Sequence, residues 1–363
     1  MYEKRIKKIF DGVKDDLDLI VIKNSTCIDH TFFYVTGLAS GLFEGSYALL
    51  HPNGSLEIIT SVLEEQSARK GGFRVTIYKN RDELAKLIRN RLSKVKRVGL
   101  NFQSLVHSDY IQIKKYARRA KISDVSESVC RARAVKDADE ISLVTKACKI
   151  TSRIADEIPA MLKRGVREYE VCAEIVHRMQ QMGAEGCAFN TIVAFGPHCA
   201  EPHFSCGSAK LKDGDFVVTD FGARYMRYCA DITRTYVFGK PTKRHKDLYE
   251  FVYELQELAL DEIRAGSECK TVQDVVDKAV SRSKFKGKFT HGIGHSIGLQ
   301  THDGIAFTHP PGLIQEENMV MTVEPGIYVN GWGGARIEDD VVITKSGYRM
   351  LTGAKKDFDE ICV

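Results

Sequence analysis

The stretch Phe216-Val-Val-Thr-Asp-Phe-Gly-Ala-Arg-Tyr-Met-Arg-Tyr-Cys-Ala-Asp-Ile-Thr-Arg-Thr-Tyr-Val-Phe238 holds two apolar runs, each with an aspartate at its inner end. Asp220 closes the first and Asp231 opens the second. Runs rich in Val, Ile, Thr, Tyr and Phe read as strands. Pairing them about a turn near Tyr225 and Met226 gives a hairpin with the aspartates opposite each other on one face. Further along, Val320, Thr322 and Glu324 alternate on one strand, and Arg336 and Glu338 share a face of the next. Asn330-Gly331 and Gly333-Gly334 supply turn chemistry between them, so a second hairpin presents two more acids. Between the hairpins lies His291-Gly-Ile-Gly-His295-Ser-Ile-Gly-Leu299, followed by His302-Asp303. Histidines four apart suit a helical zinc pair, but the glycines argue for extended, closely approached backbone, with one of the two histidines as a metal ligand.

Asp220, Asp231, His295, Glu324 and Glu338 are thus five potential metal ligands. Four carboxylates and an imidazole cannot share a buried site without neutralisation. Two divalent cations would provide it. A set rich in carboxylates, with one His and no Cys, suits Mn, Co, Zn or Fe(II) in a hydrolytic centre better than a structural zinc.

Four motifs then stand in fixed order: Asp220-Phe-Gly with Asp231-Ile-Thr-Arg-Thr, His291-Gly-Ile-Gly-His295-Ser-Ile-Gly-Leu-Gln-Thr-His302, Thr322-Val-Glu-Pro-Gly, and Gly334-Ala-Arg-Ile-Glu-Asp. Over about residues 138 to 350 they resemble the metallopeptidases that include proline dipeptidase, aminopeptidase P and methionine aminopeptidase. The resemblance implies that Asp220 chelates a first metal ion, that Asp231 and Glu338 bridge both ions, and that His295 and Glu324 complete the second. It also implies that His203 and His302 face the substrate and that His291 is an auxiliary histidine of the proline-specific branch. Arg227 stands where the family often has glycine in the first hairpin. Arg336 is expected to point toward the cleft, either pairing with a substrate carboxylate or holding the acids in place. His198 and His309 read as loop histidines, and Trp332 as either an exposed hairpin aromatic or a wall of the substrate site.

The chain has 363 residues, 43% of them hydrophobic and 28% charged, with a formal net charge of +5, which describes a globular protein long enough for two domains. Its basic residues fall in scattered groups such as Lys94 to Arg97 and Lys240 to Lys246, which read as solvated faces, so no nucleic-acid partner is expected. The first residues lack the apolar core of a signal peptide, and no stretch approaches a membrane span, so the expected setting is cytoplasmic without a membrane partner. Ten cysteines without C-x-x-C spacing read as small reduced core residues, Cys148 and Cys172 falling within helical patterns.

Helix and strand signals alternate up to about residue 125. Lys4 to Val13 reads as a helix, Leu17 to Ile22 as a buried strand, and Tyr47 to Leu50 with Leu56 to Thr60 as a hairpin. Asp82 to Leu92 reads as a helix before a strand at Val98 to Leu100, and a polar stretch from Ser123 to Ala138 as the link onward. The expected organisation is α/β (α+β), with an N-terminal α/β domain over 1–127 and a catalytic domain over 128–363. In the second domain a helix carrying Val144, Ile150, Ile154, Ile158 and Met161 ends at Gly165, before Val171 and Ile175. A helix from Leu248 to Ile263 ends near Gly266, before Val272 and Val276 at the same offsets. This faint repeat suggests two related halves, in agreement with the creatinase-like N-terminal domain and pseudo-symmetric pita-bread catalytic domain that the resemblance implies.

The implied activity is dinuclear metal-dependent hydrolysis of Xaa-Pro bonds, as a dipeptidase acting on Xaa-Pro dipeptides or as an aminopeptidase acting on longer peptides. The implied assembly is a homodimer. A non-catalytic binding module on the same fold would be expected to lose ligands, and all five are present.

Overall fold

Leu19–Asn24 is buried along its whole length and pairs on both sides: antiparallel with Ser46–Leu50 and parallel with Arg97–Leu100. Such two-sided burial favours its run of Leu, Ile and Val. The computed structural model, which describes residues 2–308 and 311–363, extends this pairing into a six-stranded sheet. Leu56–Ser61 and Arg74–Tyr78 lie on one flank and Lys121–Asp124 on the other. The hairpin joining Ser46–Leu50 to Leu56–Ser61 is the expected one, with Leu50 opposite Leu56. Helices Tyr2–Asp11 and Arg81–Leu92 also stand where they were expected, to within a residue or two.

The residues divide into two compact units, Met1–Arg133 and Ala134–Val363. Position 127, expected to end the first domain, falls inside helix Ser126–Ala134. That helix corrects the reading of Ser123 to Ala138 as a polar link. Its buried apolar residues are Val129, Ala132 and Ala134, with Val125 buried just before it, and its small residues hide the period. It is tied to the first unit by Ser128, which donates to the Ile9 carbonyl, and by the Ala132 carbonyl, which accepts from Tyr34 at 2.9 Å.

In the second unit the repeat becomes two helix pairs. Ala138–Met161 leads to Glu168–Gln181, and Lys243–Asp261 leads to Cys269–Arg282. Gly165 and Gly266 occupy matching positions between them at φ 83° and 91°, a left-handed conformation that glycine adopts without strain. The buried stripes of all four helices share one apolar core with the strands that come after them.

Phe216–Phe221 and Ile232–Val237 form the first hairpin, with Thr233 opposite Asp220. Asp231 therefore lies diagonal to Asp220 on the same face, which corrects the expectation that the two sit directly opposite. The cause is a further small hairpin between the strands, Ala223–Tyr225 with Tyr228–Cys229, turning at Met226 and Arg227. Both turn residues have positive φ, 45° and 72°, the requirement of a tight two-residue hairpin turn. Arg227 thus keeps the geometry that glycine would adopt more easily. Gly222 marks where the chain leaves the ladder, because a Cβ there would sit 1.7 Å from the Ala230 carbonyl oxygen.

The second hairpin runs in two pieces, Val320–Val323 with Asp339–Thr344 and Gly326–Val329 with Gly333–Arg336. Val323 faces Asp339 and Gly326 faces Arg336, one continuous register that brings Glu324 opposite Glu338. Regular pairing lapses beside Pro325, which has no N–H to give.

Candidate metal centre and cleft

All nine residues singled out in the sequence line one cavity of about 630 Å³: His203, Asp220, Asp231, His291, His295, His302, Glu324, Arg336 and Glu338. Phe189, Ile192 and Ile305 add apolar wall. Asp231, His295 and Glu338 each present a ligand atom, and the three lie within 4.8 Å of one another, a group able to hold a metal ion. Glu324 approaches from its own strand end, with Oε1 3.4 Å from His295 Nε2. Asp220 sits on the same face but turns Oδ2 to Arg336 Nη2 at 2.6 Å.

The buried carboxylates are under-satisfied, as a cation site requires. Oδ1 of Asp220 and Oδ1 of Asp231 are enclosed with no hydrogen-bond donor among the described residues. Burial, reinforced by Glu338 and Asp220, pushes the Asp231 carboxyl far above its ordinary range, and burial with Glu324 does the same to Glu338. Burial also lifts Glu324 to about 8, against the opposing pull of Arg336. The imidazoles shift the other way. Burial drives His295 to about 3 and His291 to about 4, and lowers His302, with neighbouring histidines adding to the effect. The neutral histidines are already in the state that ligates a divalent cation, whereas the crowded acids must release their protons as a cation binds.

Backbone contacts orient His295. It donates Nδ1–H to the Ser296 carbonyl at 3.2 Å, leaving the Nε2 lone pair facing the acids. The stretch is not helical: His295 and Ser296 bridge to Ala306 and Met321, and a Cβ on Gly294 would lie 2.0 Å from the Thr322 carbonyl oxygen, the close backbone approach expected there. Thr233 lies between the two hairpins. Its hydroxyl donates to Glu338 Oε2 at 2.7 Å and accepts from Arg336 Nε at 3.0 Å. Behind it the fully buried Arg234 pairs with Asp339 at 2.7 Å and donates to the Glu338 carbonyl at 2.7 Å. Asp340 accepts from the Asp231 N–H at 2.9 Å.

Arg336 is committed to this framework. Besides Asp220 and Thr233 it donates to the Tyr328 hydroxyl at 2.8 Å and the Pro202 carbonyl at 3.4 Å. Of its two expected roles, the geometry displays the holding one. Tyr328 passes the network on to His291 Nε2 at 2.8 Å, while His291 Nδ1 meets the Gly292 carbonyl at 2.8 Å. Both nitrogens of His291 are therefore engaged within the protein. His302 packs edge-on against His295, ring centroids 4.0 Å apart, and with His203 borders the open part of the cavity.

Thr233 and Tyr328 are contributors that reading the sequence passed over. Alternation held the signal for both: Thr233 is two residues from Asp231, and Tyr328 is four from Glu324 along the same hairpin arm. Trp332 does not line the cavity. It stacks on His245 at 5.5 Å and 7°, with the Arg244 guanidinium 3.7 Å from its ring centroid. His198 lies in the turn Gly196–Ala200, and His309 is outside the described residues.

Comparison with known proteins agrees with this geometry. Residues 5–135 match the Creatinase/Prolidase N-terminal domain and residues 142–345 match Metallopeptidase family M24. An Xaa-Pro dipeptidase of Pyrococcus horikoshii is 30% identical over 98% of this chain and 98% of its own length. Among solved structures, an X-Pro aminopeptidase from Thermotoga maritima superposes with a TM-score of 0.88 at 32% identity, covering 96% of this chain and 98% of that one. An Xaa-Pro dipeptidase from Bacillus anthracis superposes with a TM-score of 0.90 at 29% identity over the whole of both chains. The fold is the expected one, a creatinase-like N-terminal domain followed in sequence by a pita-bread catalytic domain, and among the described residues no helix is long and apolar enough to cross a membrane. With an acid-rich site able to hold a metal at the centre of the matched region, this chain belongs to the M24 family of metallopeptidases.

Proposed function

We propose that this protein hydrolyses the bond between an N-terminal residue and a following proline, acting on Xaa-Pro dipeptides. The observation that carries the reading is the convergence of Asp231, His295 and Glu338, with Asp220 and Glu324 beside them, in one cavity of about 630 Å³. That size suits a small peptide. Full-length likeness to an Xaa-Pro dipeptidase supports the substrate class. A second reading, an Xaa-Pro aminopeptidase on longer peptides, is favoured by the equally extensive likeness to the Thermotoga maritima structure.

The residues fit a pair of divalent cations, Mn, Co, Zn or Fe(II). Asp220, Asp231, His295, Glu324 and Glu338 would together hold them. Bound there, the cations would supply a water acidic enough to act as nucleophile near neutral pH, together with Lewis acidity at the scissile carbonyl. Glu324, whose carboxylate lines the cavity beside His295, is the group that takes the proton of the attacking water. His203 and His302, at the open side, donate to the developing oxyanion or to the leaving proline nitrogen. Arg336, with Tyr328 and His291, keeps Asp220 in place. The proposed setting is a homodimer in the cytoplasm, where its free cysteines stay reduced.

The test is kcat/KM for Met-Pro against Met-Ala with manganese present. A preference of about tenfold or more, roughly 1.4 kcal/mol of transition-state binding, is expected for proline. Equal or faster cleavage of Met-Ala refutes the proline assignment.

A further inference from the structure

Glu168 opens helix Glu168–Gln181, yet its side chain is completely buried. Its carboxylate collects donors from three places in one loop. Oε1 accepts the Phe195 N–H at 2.9 Å and contacts His198 Nδ1 at 2.7 Å, and Oε2 accepts the Gly207 N–H at 3.2 Å. A carboxylate out of water that loses such partners is left charged and uncompensated, so the three bonds form a stiff anchor. Backbone bonds brace the same corner: Tyr169 N–H to the Gly207 carbonyl at 3.1 Å, and Glu168 N–H to the Ala209 carbonyl at 3.2 Å. A Cβ at Gly207 would approach Oε2 to 2.8 Å, so a larger residue there would push on the carboxylate.

The chain thus leaves this carboxylate at Phe195 and His198 and returns to it at Gly207. Between those ties lies Glu201-Pro202-His203, the tip that borders the cavity. The backbone bonds within the tip are turn contacts, Glu201 N–H to the His198 carbonyl at 3.0 Å and Phe204 N–H to the Glu201 carbonyl at 3.2 Å. The His198 ring lies on Phe204, centroids 4.4 Å apart and 24° from parallel, so the residue after His203 is held by the same imidazole that binds Glu168.

We propose that Glu168 and His198 are positioning residues for the cleavage reaction, a carboxylate–imidazole clamp that fixes where His203 stands against the cavity. The kinetic consequence rests on the Xaa-Pro reading; the mechanical one does not. His198 is half-exposed and touches the core through one bond and one stacked ring, so it can be changed without opening a cavity. Displacing a group that acts on the transition state by about 1 Å costs on the order of 100-fold in rate. Such a loss falls on kcat, because His203 is assigned to charge that develops during the reaction.

The experiment uses the full chain with manganese and the variants His198→Ala, His198→Asn and Glu168→Gln. Hydrogen exchange by mass spectrometry reads the mechanics without substrate. In His198→Ala, exchange over 201–207 should rise about tenfold while strands Phe216–Phe221 and Ile232–Val237 stay at the wild-type rate. On Met-Pro the same variant should lose about 10- to 100-fold in kcat with KM within about threefold. His198→Asn, whose amide N–H can reach Glu168, should recover most of both. Glu168→Gln should exceed the alanine variant in both readouts; if it fails to fold, His198→Ala and His198→Asn decide alone. Unchanged exchange in His198→Ala overturns the clamp, and so does faster exchange with unaltered kcat. A wild-type chain inactive on every Xaa-Pro peptide contradicts the proposed function instead, and the exchange result then decides the clamp by itself.

Discussion

Thr233 holds Glu338 twice: its carbonyl accepts the Glu338 N–H at 3.1 Å, and its hydroxyl donates to Glu338 Oε2 at 2.7 Å. A residue of the first hairpin thereby sets both backbone and side chain of an acid on the second. Thr233→Val keeps shape but removes the hydroxyl, leaving Glu338 Oε2 and Arg336 Nε each short of a partner. Stability should fall by about 1–3 kcal/mol, with weakened metal binding. Urea unfolding and a manganese titration measure the two effects; wild-type values in both would show the hydroxyl to be dispensable.

Elemental analysis of the manganese-saturated chain should find about two ions, and Asp231→Asn or Glu338→Gln should abolish turnover without unfolding the protein. Because the ions bind the folded site, metal at about 100 times its Kd should stabilise the chain by about 2.7 kcal/mol. A folded, supplemented sample with metal at background contradicts the dinuclear assignment.

The metal-free chain should lose stability as pH rises above neutrality. Burial holds Glu324 at about 8, Asp340 at about 7, and Asp231 and Glu338 far above their ordinary values. The folded state therefore keeps protons that the unfolded state has released, and the stability this contributes is lost as pH climbs through the folded values. His295 and His291, depressed by burial to about 3 and 4, act in the opposite sense, but only below about 6.5, where an unfolded imidazole takes up its proton. Between pH about 6.5 and 8.5 the acids dominate. Urea midpoints with a chelator present should decrease across that window, and saturating metal should flatten the slope; a rising midpoint without metal contradicts the assignment.

Arg234→Met should destabilise the fold by about 3–5 kcal/mol, because it strands Asp339 without its nearest cation in a fully buried position. Lys356, 3.2 Å from the same carboxylate, moderates the loss. Chemical denaturation reads the change, and a cost below about 1 kcal/mol would show that Lys356 suffices.

Dipeptidase and aminopeptidase differ in how the cleft receives the far side of proline, a free carboxylate in one case and further peptide in the other. Arg336, already bound to Asp220, Thr233 and Tyr328, is not idle to receive a substrate carboxylate. Met-Pro should still be cleaved faster than a tripeptide with proline second. Equal or faster cleavage of the tripeptide moves the assignment to the aminopeptidase P type.

Local period and residue chemistry reached the five ligands and Arg336, while His203, His302 and His291 came from the resemblance of the motifs to a known family. Alternation in Val320 to Glu324, the glycines around His295, and the paired aspartates placed the five ligands on elements that do meet in one cavity, which the three further histidines and Arg336 also line. The repeat of helix pairs about Gly165 and Gly266 was legible because buried stripes recur at helical spacing. Register and partner choice lay beyond reach, since they depend on contacts between residues far apart in the chain. The diagonal placement of Asp231 and Asp220 arises from a small hairpin inserted between their strands. The helix Ser126–Ala134 was hidden because its buried residues are too small to announce a period. The commitment of Arg336 to Asp220, 116 positions away, exists only once two hairpins cross, and sequence patterning supplies no distance between them.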